Sequence, residues 1–65
     1  MIECSLLVDD EEYEIGEFTP AEILPLQKAL KASIIIDEEG RKWQAQKLYF
    51  SVMPPYFFIS TDEID

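Results

Sequence analysis

Apolar and polar residues alternate along the first part of the chain. Four residues fall on one side of an extended segment over residues 2–8: Ile2, Cys4, Leu6 and Val8. This period of two predicts a half-buried strand. Residues 9–12 are all acidic and too polar to be buried, and alternation resumes at residues 13–15. Residues 2–15 are therefore predicted to form a β-hairpin with an acidic turn, and Gly16 is typical of a bulge or a strand end.

A helix is predicted after the hairpin. Its start is marked by a capping box with a proline at the first helical position: Thr19, Pro20 and Glu22. A narrow apolar stripe at helical spacing extends the helix to about residue 32: Ile23, Leu26 and Leu30. Pro25 lies inside this helix, where it removes a hydrogen bond and crowds the preceding turn. We therefore expect either a kink at Pro25 or a separate first turn followed by a helix from that residue.

Three further strands are predicted in the second half of the chain. Residues 34–36 are a short β-branched run, and residues 41–52 form a long strand in which Trp43 faces inward. Continued alternation along the long strand would bury Lys47, which predicts a bulge near that position. Two prolines then interrupt the pattern, and residues 56–59 form the last strand.

The resulting order is ββ-α-βββ, which defines a small single α+β domain with a mainly antiparallel sheet. The sheet is either open and covered by the one helix or curled into a small SH3-like barrel. Residues 1–60 are assigned to this domain, and residues 61–65 to an acidic C-terminal tail. The last three strands are apolar on both faces, so either the sheet closes on itself or its second face meets another chain. The candidate apolar interface consists of Tyr49, Tyr56 and Phe58.

Charge is distributed unevenly along the 65 residues. Fourteen acidic residues face five basic ones, for a formal net charge of −9. Residues 1–22 hold eight carboxylates and no base, whereas all five bases fall between residues 28 and 47. A strong negative field at one end of a domain selects for positively charged partners. The candidate partner-binding surface is the acidic part of the first hairpin: Asp9, Asp10, Glu11, Glu12, Glu14 and Glu17.

The composition indicates a protein without catalytic activity. The chain has no histidine and one cysteine, which excludes histidine-based acid–base relays, classical zinc sites and an internal disulfide. Cys4 alternates with core residues, so a structural role is expected for it. There is no glycine-rich phosphate loop, and the acidic runs at residues 9–12 and 37–40 lack the spacing of a calcium-binding loop. We expect no cofactor, no bound metal and no direct contact with nucleic acid, because phosphate contacts need a basic surface.

The leading hypothesis is a small non-enzymatic interaction module that docks a basic surface of another protein. A second hypothesis is a phage-type inhibitor that mimics the charge of a nucleic acid, because carboxylates at steps of about 3.4 Å along a strand resemble a row of phosphates. A third is a homo-oligomeric structural subunit. No apolar run approaches the roughly 20 residues that span a bilayer, so no membrane contact is expected. The unpaired cysteine and the lack of a signal-peptide pattern favour the cytoplasm.

Overall fold

The first two strands form the predicted hairpin. The computed structural model describes residues 1–64, and in it β1 (Ile2–Val8) pairs antiparallel with β2 (Glu11–Phe18). The turn is shorter than the predicted acidic turn, because only Asp9 and Asp10 lie between the strands. Both have positive φ, at 53° and 64°. Two successive residues of this kind make a tight hairpin turn whose twist matches that of the strands. The other acids of the run therefore belong to β2.

β2 has a bulge at Gly16, and a bulge is one of the two roles predicted for this glycine. The register shifts just after the Cys4–Gly16 pair, so that Ile15 is the extra residue of β2. Gly16 has a φ of 139°, which a residue with a side chain rarely adopts. Because of the extra residue, Glu14 and Glu17 lie on the same face of the sheet although they are three positions apart.

The helix α1 (Pro20–Lys31) begins at the predicted capping box. The Glu22 carboxylate accepts hydrogen bonds from the backbone N–H of Thr19 at 2.9 Å and from its hydroxyl at 2.8 Å. These two bonds hold the pKa of Glu22 below its usual value. The helix runs unbroken through Pro25, so a separate first turn was the wrong alternative. Pro25 is exposed and lies near the helix start, where water can satisfy the carbonyl that loses its partner.

Three strands complete the sheet: β3 (Ile35–Ile36), β4 (Lys42–Ser51) and β5 (Tyr56–Ile64). The strand order is β2-β1-β5-β4-β3, with β1 and β5 parallel and the other neighbours antiparallel. The sheet curls into a half-barrel, and α1 packs against its inner face. The α+β class, the ββ-α-βββ order and the mainly antiparallel sheet are therefore confirmed, and the curl stops short of a closed barrel.

The predicted bulge in the long strand is also present. The register between β4 and β5 shifts between Ala45 and Leu48, so both of these residues face inward although they are an odd number of positions apart. Lys47 lies within the shift and is exposed. Its backbone N–H donates a 3.1 Å hydrogen bond to the hydroxyl of Ser60, which occupies the gap in the ladder.

The predicted acidic tail over residues 61–65 was wrong for residues 61–64, which belong to β5. They pair with the first half of β4, from Ala45 opposite Thr61 to Lys42 opposite Ile64. The Thr61 hydroxyl also donates a 2.6 Å hydrogen bond to the backbone carbonyl of Leu7. The polar composition suggested fraying, but the backbone groups of β4 need a partner, and this segment supplies it. Asp65 lies outside the described residues.

The core lies between the inner face of the sheet and α1. Its buried apolar residues come from three strands, β1, β4 and β5, and from the helix: Cys4, Leu6, Val8, Ile23, Trp43, Ala45, Phe57 and Ile59. The predicted helical stripe is confirmed, since Ile23 is buried and Leu26 and Leu30 pack against this cluster. Cys4 has no exposed surface, and its burial raises the pKa of the thiol to about 11. The expected structural role of Cys4 is consistent with this position.

Candidate functional site

The structure divides the six candidate acids between two places. Three lie on the outer face of the sheet, which is turned away from α1: Glu12, Glu14 and Glu17. Three lie at the end of the half-barrel where the β1–β2 turn meets the β3–β4 turn: Asp9, Asp10 and Glu11. Successive side chains of a strand point to opposite faces, so neighbouring acids on one face are about 6.8 Å apart along β2. The acidic run is therefore not a single ladder at 3.4 Å steps.

The outer face carries acids on its β2 side and aromatic rings towards β4. Cross-strand neighbours on one face form rows that run across the sheet. One row consists of Glu17, Glu3, Tyr56 and Ser51. The next row consists of Glu14, Ser5, Phe58 and Tyr49. We call this surface the acidic–aromatic face, and it comprises Glu3, Glu12, Glu14, Glu17, Tyr49, Tyr56 and Phe58.

The three residues of the candidate apolar interface lie together on this face as a stack. The ring centroids of Tyr49 and Phe58 are 4.8 Å apart with an interplanar angle of 12°. Those of Tyr56 and Phe58 are 6.3 Å apart at 21°. Tyr49 is 45% exposed, and the other two rings are half-buried. Because the rings fix one another on a sheet, they lose little conformational freedom when a partner binds.

Glu3 belongs to this face but is missing from the acids predicted as a site. It lies between Glu17 and Tyr56 in the register, so it is the carboxylate nearest to the stacked rings. The signal was present in the sequence, since alternation places Glu3 on the face opposite to Cys4. The dense acidic run at residues 9–12 is the stronger local signal, and the local pattern does not show which strand lies beside β1.

The acids at the open end of the half-barrel surround Arg41. The Arg41 Nη2 atom lies 2.7 Å from Asp9 Oδ2, and Nε lies 3.0 Å from Asp37 Oδ2 and 3.5 Å from Glu39 Oε2. The guanidinium also lies 5.4 Å from the centroid of the Trp43 ring. Arg41 therefore neutralises part of the charge of the acids around it. The ion pair with Asp9, which is 32 residues distant, was not predicted.

Asp37 organises the turn between β3 and β4. Its carboxylate accepts hydrogen bonds from the backbone N–H groups of Glu39 and Arg41, both at 2.9 Å, and from the indole N–H of Trp43 at 3.0 Å. Burial raises the pKa of Asp37, but the hydrogen bonds from Trp43 and from the two backbone groups, with the charge of Arg41, outweigh it. The pKa of Asp37 therefore lies below its ordinary value, so its ionised carboxylate stabilises the fold.

A cleft of about 270 Å³ opens at the same end, between the two edge strands. It is lined by Leu6, Val8, Tyr13, Ile35, Ile36, Asp37 and Glu38. The Tyr13 hydroxyl donates a 2.8 Å hydrogen bond to Glu11 at its edge, which raises the pKa of Tyr13. The volume is below the range of about 300–1,000 Å³ that is usual for small-molecule sites. Within residues 1–64, no group of three acidic or cysteine side chains is placed to hold a metal ion.

Comparison of the chain with known protein families, characterised proteins and solved structures found no match. In the part of the chain that the structure describes, the helix has 12 residues and is too short to cross a membrane. The chemistry of the surface is therefore what indicates a function. Of the two places where acids gather, the open end holds Arg41 among its acids, whereas the described ion pairs include none of the glutamates of the acidic–aromatic face.

Proposed function

We propose that this chain is a non-enzymatic interaction module that binds a basic protein through the acidic–aromatic face. The observation that carries the proposal is the arrangement of four carboxylates and three stacked rings on one face of a sheet. A cytoplasmic location belongs to the same proposal, because a free buried cysteine suits a reducing compartment.

The carboxylates of this face differ from the other acids in their surroundings. Asp9, Asp37 and Glu39 pair with Arg41. None of the ion pairs within residues 1–64 involves the four glutamates of the face, which are all exposed. Like charges on neighbouring strands repel one another. A basic partner would relieve that repulsion, and it would be steered towards the face by the field of the whole molecule.

The neighbouring rings favour arginine over lysine in the partner. Glu3 and Tyr56 are cross-strand neighbours, on strands about 4.8 Å apart. A guanidinium can lie flat on an aromatic ring while its N–H groups donate to a nearby carboxylate. A lysine ammonium is a compact, strongly hydrated charge that gains less from the ring face. We therefore propose that the partner presents arginine side chains to this face.

A charge-reversal experiment tests the face. The test variant carries Glu3→Lys, Glu14→Lys and Glu17→Lys, and the matched control carries Asp10→Lys, Glu38→Lys and Glu63→Lys. Both change the net charge equally, and all six positions are exposed. Affinity for a fluorescent arginine-rich peptide is measured by anisotropy, with circular dichroism to confirm folding. We expect the test variant to lose at least tenfold more affinity than the control. Equal losses would mean that net charge alone attracts the peptide.

A second comparison tests the role of the rings. Two peptides of equal charge, one with arginine and one with lysine, are titrated into the wild-type chain and into a Tyr56→Leu, Phe58→Leu variant. We expect the wild-type chain to bind the arginine peptide several-fold more tightly and the variant to lose that preference. A preference that survives the loss of the rings would contradict the arginine part of the proposal and leave the charge part standing.

Mimicry of nucleic-acid charge, as in a phage inhibitor, is the case in which the basic partner is itself a nucleic-acid-binding protein. The observation behind this alternative is that three glutamates of the edge strand β2 lie exposed on one face: Glu12, Glu14 and Glu17. The test is competition: duplex DNA should displace the chain from a partner captured in the native host. A partner that binds DNA and this chain at the same time would contradict mimicry.

A further inference from the structure

We propose that two copies of this chain associate edge to edge through residues 48–51 of β4. This inference goes beyond the proposed binding of a basic protein and does not depend on it. It follows from three properties of β4 and of the turn after it: an edge with no neighbouring strand over most of its length, several exposed apolar side chains close together in sequence, and an absence of acidic residues.

The edge of β4 is open over most of its length. β4 has ten residues, whereas β3 has two and pairs only with Lys42 and Trp43. Among the described residues, no strand lies beside the remainder of β4 on that side. An unpaired edge presents a row of backbone N–H and C=O groups that can extend the sheet with another strand.

Exposed apolar residues concentrate at the same place. Phe50 is 51% exposed, Val52 79% and Met53 89%, and Tyr49 beside them is 45% exposed. Proteins usually protect an open edge with charged residues, and β2, the long strand at the opposite edge, does carry four glutamates. The bulge and the exposed Lys47 end just before residues 48–51, and this last part of β4 carries no charged side chain. Exposed apolar residues without such protection are typical of a surface that is covered by another chain.

The distribution of charge supports a second copy as the occupant. Two chains with a net charge of −9 repel each other wherever their acids face one another. Residues 40–61 contain no acid and three of the five bases, so two copies approach with least repulsion along β4. A single 65-residue domain is also near the lower limit for independent stability, where oligomerisation commonly adds to the core.

A two-fold axis near Tyr49 pairs the β4 strands of the two copies without placing like charges opposite one another. In antiparallel pairing centred on Tyr49, Lys47 lies opposite Ser51 of the second copy, not opposite its own equivalent. Leu48 then lies opposite Phe50, so apolar side chains meet on the inner side. Both acidic–aromatic faces point the same way in such a dimer. The dimer would therefore present two adjacent faces to a partner.

Sedimentation equilibrium tests the interface. The test variants are Phe50→Lys and, in the exposed turn where folding is least at risk, Val52→Lys. The matched controls are Leu24→Lys and Ile34→Lys, which change apolar residues that are 63% and 60% exposed on other elements. We expect the wild-type chain and both controls to form dimers, and the test variants to raise the dimer dissociation constant at least tenfold. A wild-type chain that stays monomeric at millimolar concentration would overturn the proposal, as would controls that weaken the dimer equally.

A cross-link tests the position of the axis. A Tyr49→Cys variant should form a disulfide-linked dimer under mild oxidation, while the buried Cys4 stays free. Dimers that form without this cross-link would place the interface elsewhere and contradict the proposal. The Val52→Lys monomer should still bind the arginine-rich peptide. The failure of either proposal is therefore distinguishable from the failure of the other.

Discussion

At the scale of single residues, Asp37 shows how one carboxylate positions its neighbours. It accepts bonds from the Trp43 indole and from the Arg41 side chain and backbone, so the buried ring and the ion pair to Asp9 are coupled to it. The sequence predicts strands over residues 34–36 and 41–52, with an acidic run between them. It did not predict that a tryptophan six residues later would turn its N–H towards this carboxylate, because that depends on the pairing of β3 with β4.

The depressed pKa of Asp37 gives a pH-dependent stability. The pKa is lower in the folded chain than its ordinary value of 3.8, so the contribution is present above 3.8 and is lost as pH falls through the folded pKa. We expect Asp37→Asn to be less stable than wild type at neutral pH, with the difference shrinking in acid. Urea unfolding followed by Trp43 fluorescence measures it, with the exposed Glu38→Gln as control. A difference that is constant across pH would contradict this role of Asp37.

The thiol of Cys4 should be unreactive in the folded chain. Raising the thiol pKa from 9.0 to about 11 lowers the thiolate fraction about a hundredfold at neutral pH, and the side chain is also buried. We therefore expect a thiol-reactive disulfide reagent to modify Cys4 slowly in buffer and rapidly in denaturant. Equally fast modification in both would show that the strand β1 opens readily or that the thiol is exposed.

At the scale of elements, the sequence predicts features that have a local signal better than features that depend on pairing with distant strands. The capping box at Thr19 and Glu22 involves neighbours in sequence. The bulges at Gly16 and near Lys47 lie between paired strands, but a glycine and a change of phase in the apolar pattern signal them locally. The end of β5 depends on contacts with distant residues. Thr61 follows an apolar strand and is followed by acids, yet it pairs with Ala45 and bonds to Leu7, 54 residues away.

The hydrogen bond from Thr61 to Leu7 connects β5 to β1 and should contribute measurably to stability. We expect Thr61→Val to lower the free energy of unfolding by about 1 kcal/mol, because the valine keeps the shape and removes the donor. Asp62→Asn, at an exposed position on the same strand, should change it little. Chemical denaturation measures both. A Thr61→Val variant as stable as wild type would mean that residues 61–64 fray in solution, as their composition had suggested.

The same distinction applies to the candidate site. The sequence predicts that the aromatic residues Tyr49, Tyr56 and Phe58 form one surface, because the strands that carry them are apolar on both faces. The acids were treated as one cluster because they are consecutive in sequence. Consecutive side chains of a strand point to opposite faces of the sheet, so the acids are divided between the two faces. The parallel pairing of β1 with β5 brings Glu3 beside Tyr56. The pairing of Glu3 with Tyr56 depends on the order of the strands in the sheet, and the local sequence pattern does not give that order.

At the scale of the whole molecule, the strands at the two ends of the sheet differ in charge. The β2 side carries exposed glutamates, whereas β4 and the first half of β5 carry no acid. Arg41 compensates the acids at the open end, but the acidic–aromatic face has no such base within the described ion pairs. We base two proposals on this layout, a basic partner on the side of β2 and a second copy along β4.

Uncompensated charge should make the stability depend on salt. We expect moderate NaCl to raise the melting temperature, because screening reduces repulsion among the outer-face carboxylates. A variant with Glu3→Gln, Glu14→Gln and Glu17→Gln should melt higher at low salt and respond less to NaCl. Thermal melts at increasing NaCl concentration measure both. A melting temperature that salt leaves unchanged or lowers would show that these acids do not repel one another significantly.

Nuclear magnetic resonance can locate the binding surface residue by residue. An arginine-rich peptide is titrated into the isotope-labelled chain, and the amide and side-chain shifts are followed. We expect the largest changes at Glu3, Glu14, Tyr56 and Phe58, with little change at Asp9 or Asp37. Changes centred on the open end around Arg41, or spread evenly over every exposed acid, would contradict the acidic–aromatic face as the site where this protein binds its partner.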